Sequence, residues 1–232
     1  MGRRIAIVED EPDIRDNYAE ALRRQGYEVS TYANRKTAYE AFQERLPELA
    51  IIDIGLNDEP EGGFDLCRDL RAMSETLPII FLTARDNELD TVSGFRLGAD
   101  DYLTKDIGIS HLQARIAALF RRLELMKTPA VAADLISQGD LVLDADRMTV
   151  HFNSKPVALT VTEFWLVHAL VRFVGHVKTR DQLMQAANIY VDEDTISSHI
   201  KRIRKKFQAV DKTFSSIETV YGLGYRWIEH VQ

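Results

Sequence analysis

The chain has 232 residues, a net charge of −7 and a single cysteine. That length suits two domains, each large enough to bury its own core. One cysteine excludes an intrachain disulfide, and no apolar run approaches the roughly 18 residues of a membrane-spanning helix. The start of the chain, Met1-Gly2-Arg3-Arg4, leads into a strand-like stretch and not into a signal-peptide hydrophobic segment. A cytoplasmic location without membrane association is therefore expected. Charge is unevenly spread: residues 1–125 hold 16 Lys/Arg against 24 Asp/Glu, and residues 126–232 hold 13 against 12. Residues 195–212 carry six basic groups and one acid, a local patch suited to docking on a polyanion.

In chain order, Arg3 to Val8 reads as a strand, and Pro12 to Gln25 has helical spacing through Ile14, Tyr18, Ala21 and Leu22, ended by Gly26. A strand over Tyr27–Tyr32 and a helix over Asn34–Leu46 follow. Leu49 to Ile52 is the next apolar run, ending at Asp53. A loop runs to Gly63, and a helix spans Phe64 to about Met73, with Cys67 expected as a buried structural thiol. The run Pro78–Leu82 ends at Thr83, a helix extends to about Leu97, and Tyr102–Thr104 ends at Lys105. A long helix covers about Ser110 to Leu125. Five strand–helix units in succession imply an α/β, doubly wound, five-stranded parallel sheet over residues 1–124.

Residues 125–138 lose periodicity and read as a linker before a second domain at 139–232. There, Leu141–Asp144 and Met148–Phe152 read as antiparallel strands across the turn Ala145-Asp146-Arg147. Three helices follow, at Thr162–Val174, Arg180–Ala187 and Asp194–Phe207. The strands Ile217–Tyr221 and Tyr225–Ile228 flank Gly222 and Gly224 as a hairpin, giving an α+β domain.

In an open α/β sheet, ligands bind beyond the carboxyl ends of the strands. Glu9, Asp10, Asp53, Thr83 and Lys105 all fall there. Clustered carboxylates repel unless a cation sits among them, and magnesium takes hard oxygen ligands. With that metal, Asp53 can serve as nucleophile toward a phosphoryl donor. Lys105 then pairs with the phosphoryl oxygens, and the Thr83 hydroxyl donates to them.

The segments Ile7-Val8-Glu9-Asp10-Glu11, Ile51-Ile52-Asp53, Leu82-Thr83-Ala84 and Gly98 to Lys105 resemble the receiver domain of two-component response regulators, which is CheY-like in fold. The resemblance implies Asp53 as phosphoacceptor for a sensor histidine kinase. It implies Mg2+ held by Glu9, Asp10, Asp53 and the Gly55 carbonyl. Thr83 and Tyr102 are implied as a switch pair in which Thr83 moves to the phosphate and Tyr102 turns inward. Two departures stand out. Asp106 follows Lys105 where a Pro is usual, so no cis bond is expected there. The acidic loop Gly55–Gly62 is also longer than usual and has Asn57 in place of a common Pro. With the Lys105-Asp106 pair, it resembles regulators of a dedicated sortase system in proteobacteria. Arg96, Asp100, Asp101 and Arg115 flank the last strand, and their opposite charges suit a symmetric homodimer formed on phosphorylation.

Leu159 to Phe164, the His199 helix and Thr219 to Arg226 resemble the winged helix-turn-helix effector of the OmpR/PhoB family, implying a transcriptional regulator that binds double-stranded promoter DNA. Ile196, Ile200, Ile203 and Phe207 recur at helical spacing and should face the core. Ser198, Lys201, Arg202 and Lys205 should project from the other side. By position Ser198 and Arg202 are the expected base readers. Thr195, His199, Lys201 and Arg204 are the expected phosphate contacts, with packing as the alternative for His199. Tyr221 replaces an Arg that commonly enters the minor groove, so that contact is either lost or passes to Arg226. The loop Gln185–Asp194 is acidic at its end and could meet RNA polymerase. An aspartyl-nucleophile phosphatase is disfavoured because Gly55 stands where a second Asp is needed, and a plain interaction module is disfavoured by the cationic helix.

Overall fold

In a computed structural model the described residues are 2–57, 59–85, 93–94, 97–124, 135–187 and 193–229. The chain divides into two compact units, Met1–Ala117 and Ala118–Gln232.

The first unit begins with strand β1 (Arg4–Val8), helix α1 (Pro12–Arg24), β2 (Glu28–Tyr32), α2 (Arg35–Glu44), β3 (Leu49–Ile52), α3 (Gly62–Met73), β4 (Ile79–Thr83) and β5 (Asp101–Thr104). Helix α4 (Ile109–Glu124) follows. The strands form one parallel sheet in the order β2-β1-β3-β4-β5. Every residue of β3 and β4 is buried. These central strands therefore read as unbroken apolar runs and not as alternating ones. Proline in the first turn starts α1, and Asn34 caps α2 by accepting from the Thr37 amide at 2.9 Å. The helix expected between Thr83 and Leu97 lies mostly outside the described residues. Among those described no peptide bond is cis. Cys67 is fully buried on α3, with its Sγ 3.9 Å from the Leu97 carbonyl.

The second unit opens with β6 (Leu135–Gln138), β7 (Leu141–Asp144), β8 (Thr149–Phe152) and the two-residue β9 (Lys155–Pro156), an antiparallel sheet in chain order. Strand β6 falls in the segment that the sequence reads as linker. Its hydrogen-bonded register against β7, Leu135 opposite Asp144, explains why four residues of weak intrinsic pattern are extended. Helices α5 (Val161–Val171), α6 (Arg180–Ala186) and α7 (Glu193–Val210) follow, with the two-residue β10 (Lys178–Thr179) between the first two. The hairpin of β11 (Ile217–Val220) and β12 (Gly224–Trp227) closes a three-stranded sheet in the order β10-β12-β11. Gly224 (φ +151°) is required there, because a Cβ would lie 2.1 Å from the Lys178 carbonyl oxygen. Phe152, Phe207, Phe214 and Trp227 pack with ring centroids 4.5–5.8 Å apart and centre the core. No described helix is long and apolar enough to cross a membrane.

Candidate functional site

Three strand ends build an acidic pocket. Glu9 follows β1, Asp53 follows β3, and Lys105 follows β5, so parallel pairing brings residues far apart in sequence to one edge of the sheet. Glu9, Asp10 and Asp53 each offer a carboxylate oxygen, all within 4.8 Å of one another. Lys105 Nζ donates to Asp53 Oδ2 at 2.7 Å and to Glu9 Oε1 at 2.9 Å. The other Asp53 oxygen, Oδ1, accepts from the Ile54 amide. Burial drives the Glu9 carboxyl up to about 7, with Asp53 repulsion adding to it against the pull of Lys105. Burial also works against the Lys105 ammonium, but its hydrogen bonds to Asp53 and Glu9 win and hold its pKa above the ordinary lysine value. Three carboxylates against one cation leave the pocket short of positive charge. Hard oxygen donors with that deficit fit a magnesium ion.

The pocket's rim is pinned. Gly63, at the start of α3, sits so close to Asp53 that a Cβ would lie 2.0 Å from its carbonyl oxygen. Leu56 and Glu59 form a β-bridge around Asn57 (φ +52°), whose amide donates to Asp10 Oδ2 at 3.0 Å and whose side chain donates to the Ala33 carbonyl at 2.9 Å. Arg35 pairs with Glu59, Asp65 and Asp69 at 3.6, 3.6 and 2.8 Å. The acidic loop is thus tied down by cations. The buried Thr83 hydroxyl accepts from the Arg85 amide at 3.3 Å, and Arg85 Nη2 donates to the Pro60 carbonyl at 2.6 Å. Tyr102 is 7% exposed and donates to the Arg85 carbonyl at 3.0 Å, so its ring is already turned inward against Phe81. Gly94, which the sequence does not single out, makes room for it: a Cβ would lie 3.1 Å from the Tyr102 ring.

The second unit holds a contrasting cluster. Glu163, at the third position of α5, forms a capping box with Thr160 and is completely buried. Its carboxylate meets Arg202 Nη2 at 2.7 Å and Lys206 Nζ at 2.7 Å, both from α7. Burial opposes ionisation, but the two cations together overcome it and pull the pKa down to about 2. The apolar stripe Ile196, Ile200, Ile203 and Phe207 is buried as expected. Lys201 and Lys205 point to solvent, and Ser198 is half-buried beside them.

Similarity to known proteins accounts for both halves. Residues 5–117 match the response regulator receiver domain, and residues 154–227 match the C-terminal domain of transcriptional regulatory proteins. The phosphate regulon regulator PhoB of Rhizobium meliloti is 40% identical over 227 residues, covering 96% of this chain and 97% of PhoB. The transcriptional regulatory protein CreB of Escherichia coli is 34% identical, covering 94% of this chain and 95% of CreB. The structure of DrrB, an OmpR/PhoB homologue from Thermotoga maritima, is 29% identical and covers 98% of this chain and all of that one at a TM-score of 0.51. The chain is a response regulator of the OmpR/PhoB family. As such it is a two-component transcriptional regulator with a receiver domain and a DNA-binding winged-helix domain.

Within this response regulator several residues expected to contact DNA or a second receiver are engaged inside the fold. Arg202, expected to read bases, has an 11% exposed side chain and faces Glu163. His199 and Thr195 are buried in the helix packing. Arg204 donates to the Ile217 carbonyl at 2.8 Å and to Thr219 Oγ1 at 2.8 Å, so it braces the wing. Arg226 is held across the wing by Glu218. The wing tip presents Tyr221, 92% exposed, and Leu223, 58% exposed. Thr195, His199, Arg202 and Lys206 form a stripe beside the apolar one at the same spacing, and of these Lys206 is the one the sequence reading does not single out. A lone acid on the otherwise apolar α5, needing cations from somewhere, was the signal for it. In the receiver, Asp100 has a fully buried side chain, bound by Arg71 at 3.0 Å and by the Ile79 amide at 3.1 Å. Within the chain it acts as a staple between α3 and β4. Asp101 and Arg115 lie 3.7 Å apart within one chain and are both buried. Arg96 and most of the loop before α7 (188–192) lie outside the described residues.

Proposed function

We propose that Asp53 is the phosphoacceptor, carried by the bridge of Lys105 Nζ between Asp53 Oδ2 and Glu9 Oε1. A carboxylate oxygen of Asp53 attacks the phosphorus of a phosphohistidine on the partner kinase. The new O–P bond forms as the N–P bond breaks, and the imidazole leaves with the electron pair. Lys105 is poised to follow the charge from the carboxylate to the phosphoryl oxygens. Glu9, Asp10 and Asp53 would hold magnesium together with the Gly55 carbonyl. When bound, the metal neutralises charge on the transferring group. Thr83 then leaves the Arg85 amide for the phosphoryl group, and Tyr102 stays inward behind it. The exchanged contacts bias the receiver toward a paired state. Two winged helices would then engage promoter DNA through Ser198, Lys201 and Lys205, the outward side of α7. Asp101 and Arg115 join the dimer face only if their internal pair opens.

Intact mass after incubation with magnesium and acetyl phosphate tests this directly. A phosphoryl increment on the wild type and none on Asp53→Ala is the expected result, with dimerisation following the increment. An increment on both proteins moves the acceptor elsewhere. An increment without any change in oligomeric state removes the pairing step.

A further inference from the structure

The segment after α5 is an unusual piece of surface. Residues 172–180 contain Arg172, Lys178 and Arg180 and no acid. In their midst Phe173 is 48% exposed, one of the few large apolar side chains left to solvent. Lys178 Nζ sits 4.6 Å from the centroid of that ring and Arg172 Cζ 5.9 Å from it, with the exposed His176 ring 6.1 Å away. An aromatic ring left in water between two cations is a poor core element. It is a good platform for holding cations extended, and so lowers the ordering cost when they capture an anion.

The register of the small sheet says where the platform faces. Lys178 pairs opposite Tyr225, so the two side chains emerge on one face of the sheet. Tyr225 donates its hydroxyl to Ser197 Oγ of α7 at 3.1 Å, and its ring lies between Arg180 and Arg204, each 5.8 Å from the centroid. That face therefore abuts the N-terminal half of α7, where Ser198 and Lys201 stand. Arg180 and Arg204, each against the buried Tyr225 ring, place positive charge at the junction between α7 and the start of α6, next to the edge strand β10.

We propose that this edge is a second contact with DNA. Lys178 and Arg172, steadied by Phe173, grip backbone phosphates flanking the groove that α7 enters. The inference rests on the DNA-binding reading of α7 and extends its footprint. The occupant is the duplex backbone, because Arg172 and Lys178 offer charges and donors that suit phosphate, and the segment 172–180 holds no carboxylate to read base amino groups.

The test is the salt dependence of binding to a random-sequence duplex, using the full chain and following affinity between roughly 50 and 200 mM salt. Lys178→Ala is expected to lower the slope of log K against log salt by about 0.9 and to weaken binding about five- to tenfold at physiological salt. Arg172→Ala should act in the same direction, and Phe173→Ala should weaken binding with the slope unchanged. Lys155→Ala, on the exposed β9 of the other sheet, serves as the neutral reference. If the wild type fails to bind any duplex, the DNA-binding reading itself falls. If the wild type binds and both Lys178→Ala and Arg172→Ala match Lys155→Ala, the second contact is overturned and α7 acts alone. Using two cation variants keeps the test decisive should one of them disturb the strand.

Discussion

Two buried charge clusters, one in each half, are built from the same residue types and do opposite things. The receiver pocket sets Glu9, Asp10 and Asp53 against Lys105, and the Glu9 carboxyl is raised to about 7. The effector cluster sets Glu163 against Arg202 and Lys206, and its carboxyl is lowered to about 2. Geometry does not separate them, since both make contacts of 2.7 Å. The balance of charge does. An excess of acid leaves a site that gains by taking a cation. An excess of cations closes the site on itself, so that it acts as a clamp between two helices.

The largest effect expected from breaking this contrast is at Glu163. Glu163→Ala leaves Arg202 and Lys206 partly buried without their counter-charge and removes a helix cap, for a loss of about 3–5 kcal/mol. Both tryptophans, Trp165 and Trp227, lie in the second unit, so denaturant unfolding followed by tryptophan fluorescence reads that loss alone. A change under about 1 kcal/mol would mean the cluster contributes no net stability.

Acidification separates the two clusters by sign. The folded Glu163 value near 2 lies below the ordinary 4.5, so the unfolded chain takes up its proton first. That stabilisation is complete above about pH 4.5 and is lost as pH falls toward 2, amounting to about 3 kcal/mol. Glu9 runs the other way: its folded value near 7 lies above 4.5. The metal-free receiver should lose stability as pH rises from about 4.5 to 7, where the folded state must give up a proton the unfolded chain has already released. Calorimetry against pH, with the tryptophan signal assigning the second unit, checks both slopes.

Smaller effects sharpen the picture. Gly63→Ala forces a methyl against the Asp53 carbonyl and should cost about 1–3 kcal/mol, with slower phosphorylation by acetyl phosphate. Gly94→Ala should cost about 1–3 kcal/mol, because the methyl would meet the buried Phe81 ring at 3.0 Å as well as the Tyr102 ring at 3.1 Å; near-ultraviolet circular dichroism follows the tyrosine. Arg226→Ala breaks only a half-exposed pair with Glu218 and should shift stability by at most about 1 kcal/mol.

What the sequence made legible follows the same physics. Apolar runs ending in Glu9, Asp53, Thr83 and Lys105 are unambiguous, because a parallel sheet delivers strand ends to one edge regardless of loop detail. The inward face of α7 is equally plain, since Ile196, Ile200, Ile203 and Phe207 declare it. The flanks of that face are not, because Arg202 and Thr195 lie at the border between stripe and solvent. Only the far partner Glu163, 39 positions upstream of Arg202, decides which way the guanidinium turns. Short strands such as β6, β9 and β10 were illegible for a related reason. They exist through their neighbours' hydrogen bonds and not through their own pattern.

The solitary Cys67 gives the receiver a built-in clock. Its sulfur lies wholly inside the packing under α3, and the chain has no second thiol to compete. A thiol reagent can therefore modify the native protein only during an opening of that half, at a rate set by how often the opening occurs. Labelling followed by mass would time receiver breathing in the unsubstituted chain, and the same trace with magnesium or phosphodonor present would report how far each ligand slows it.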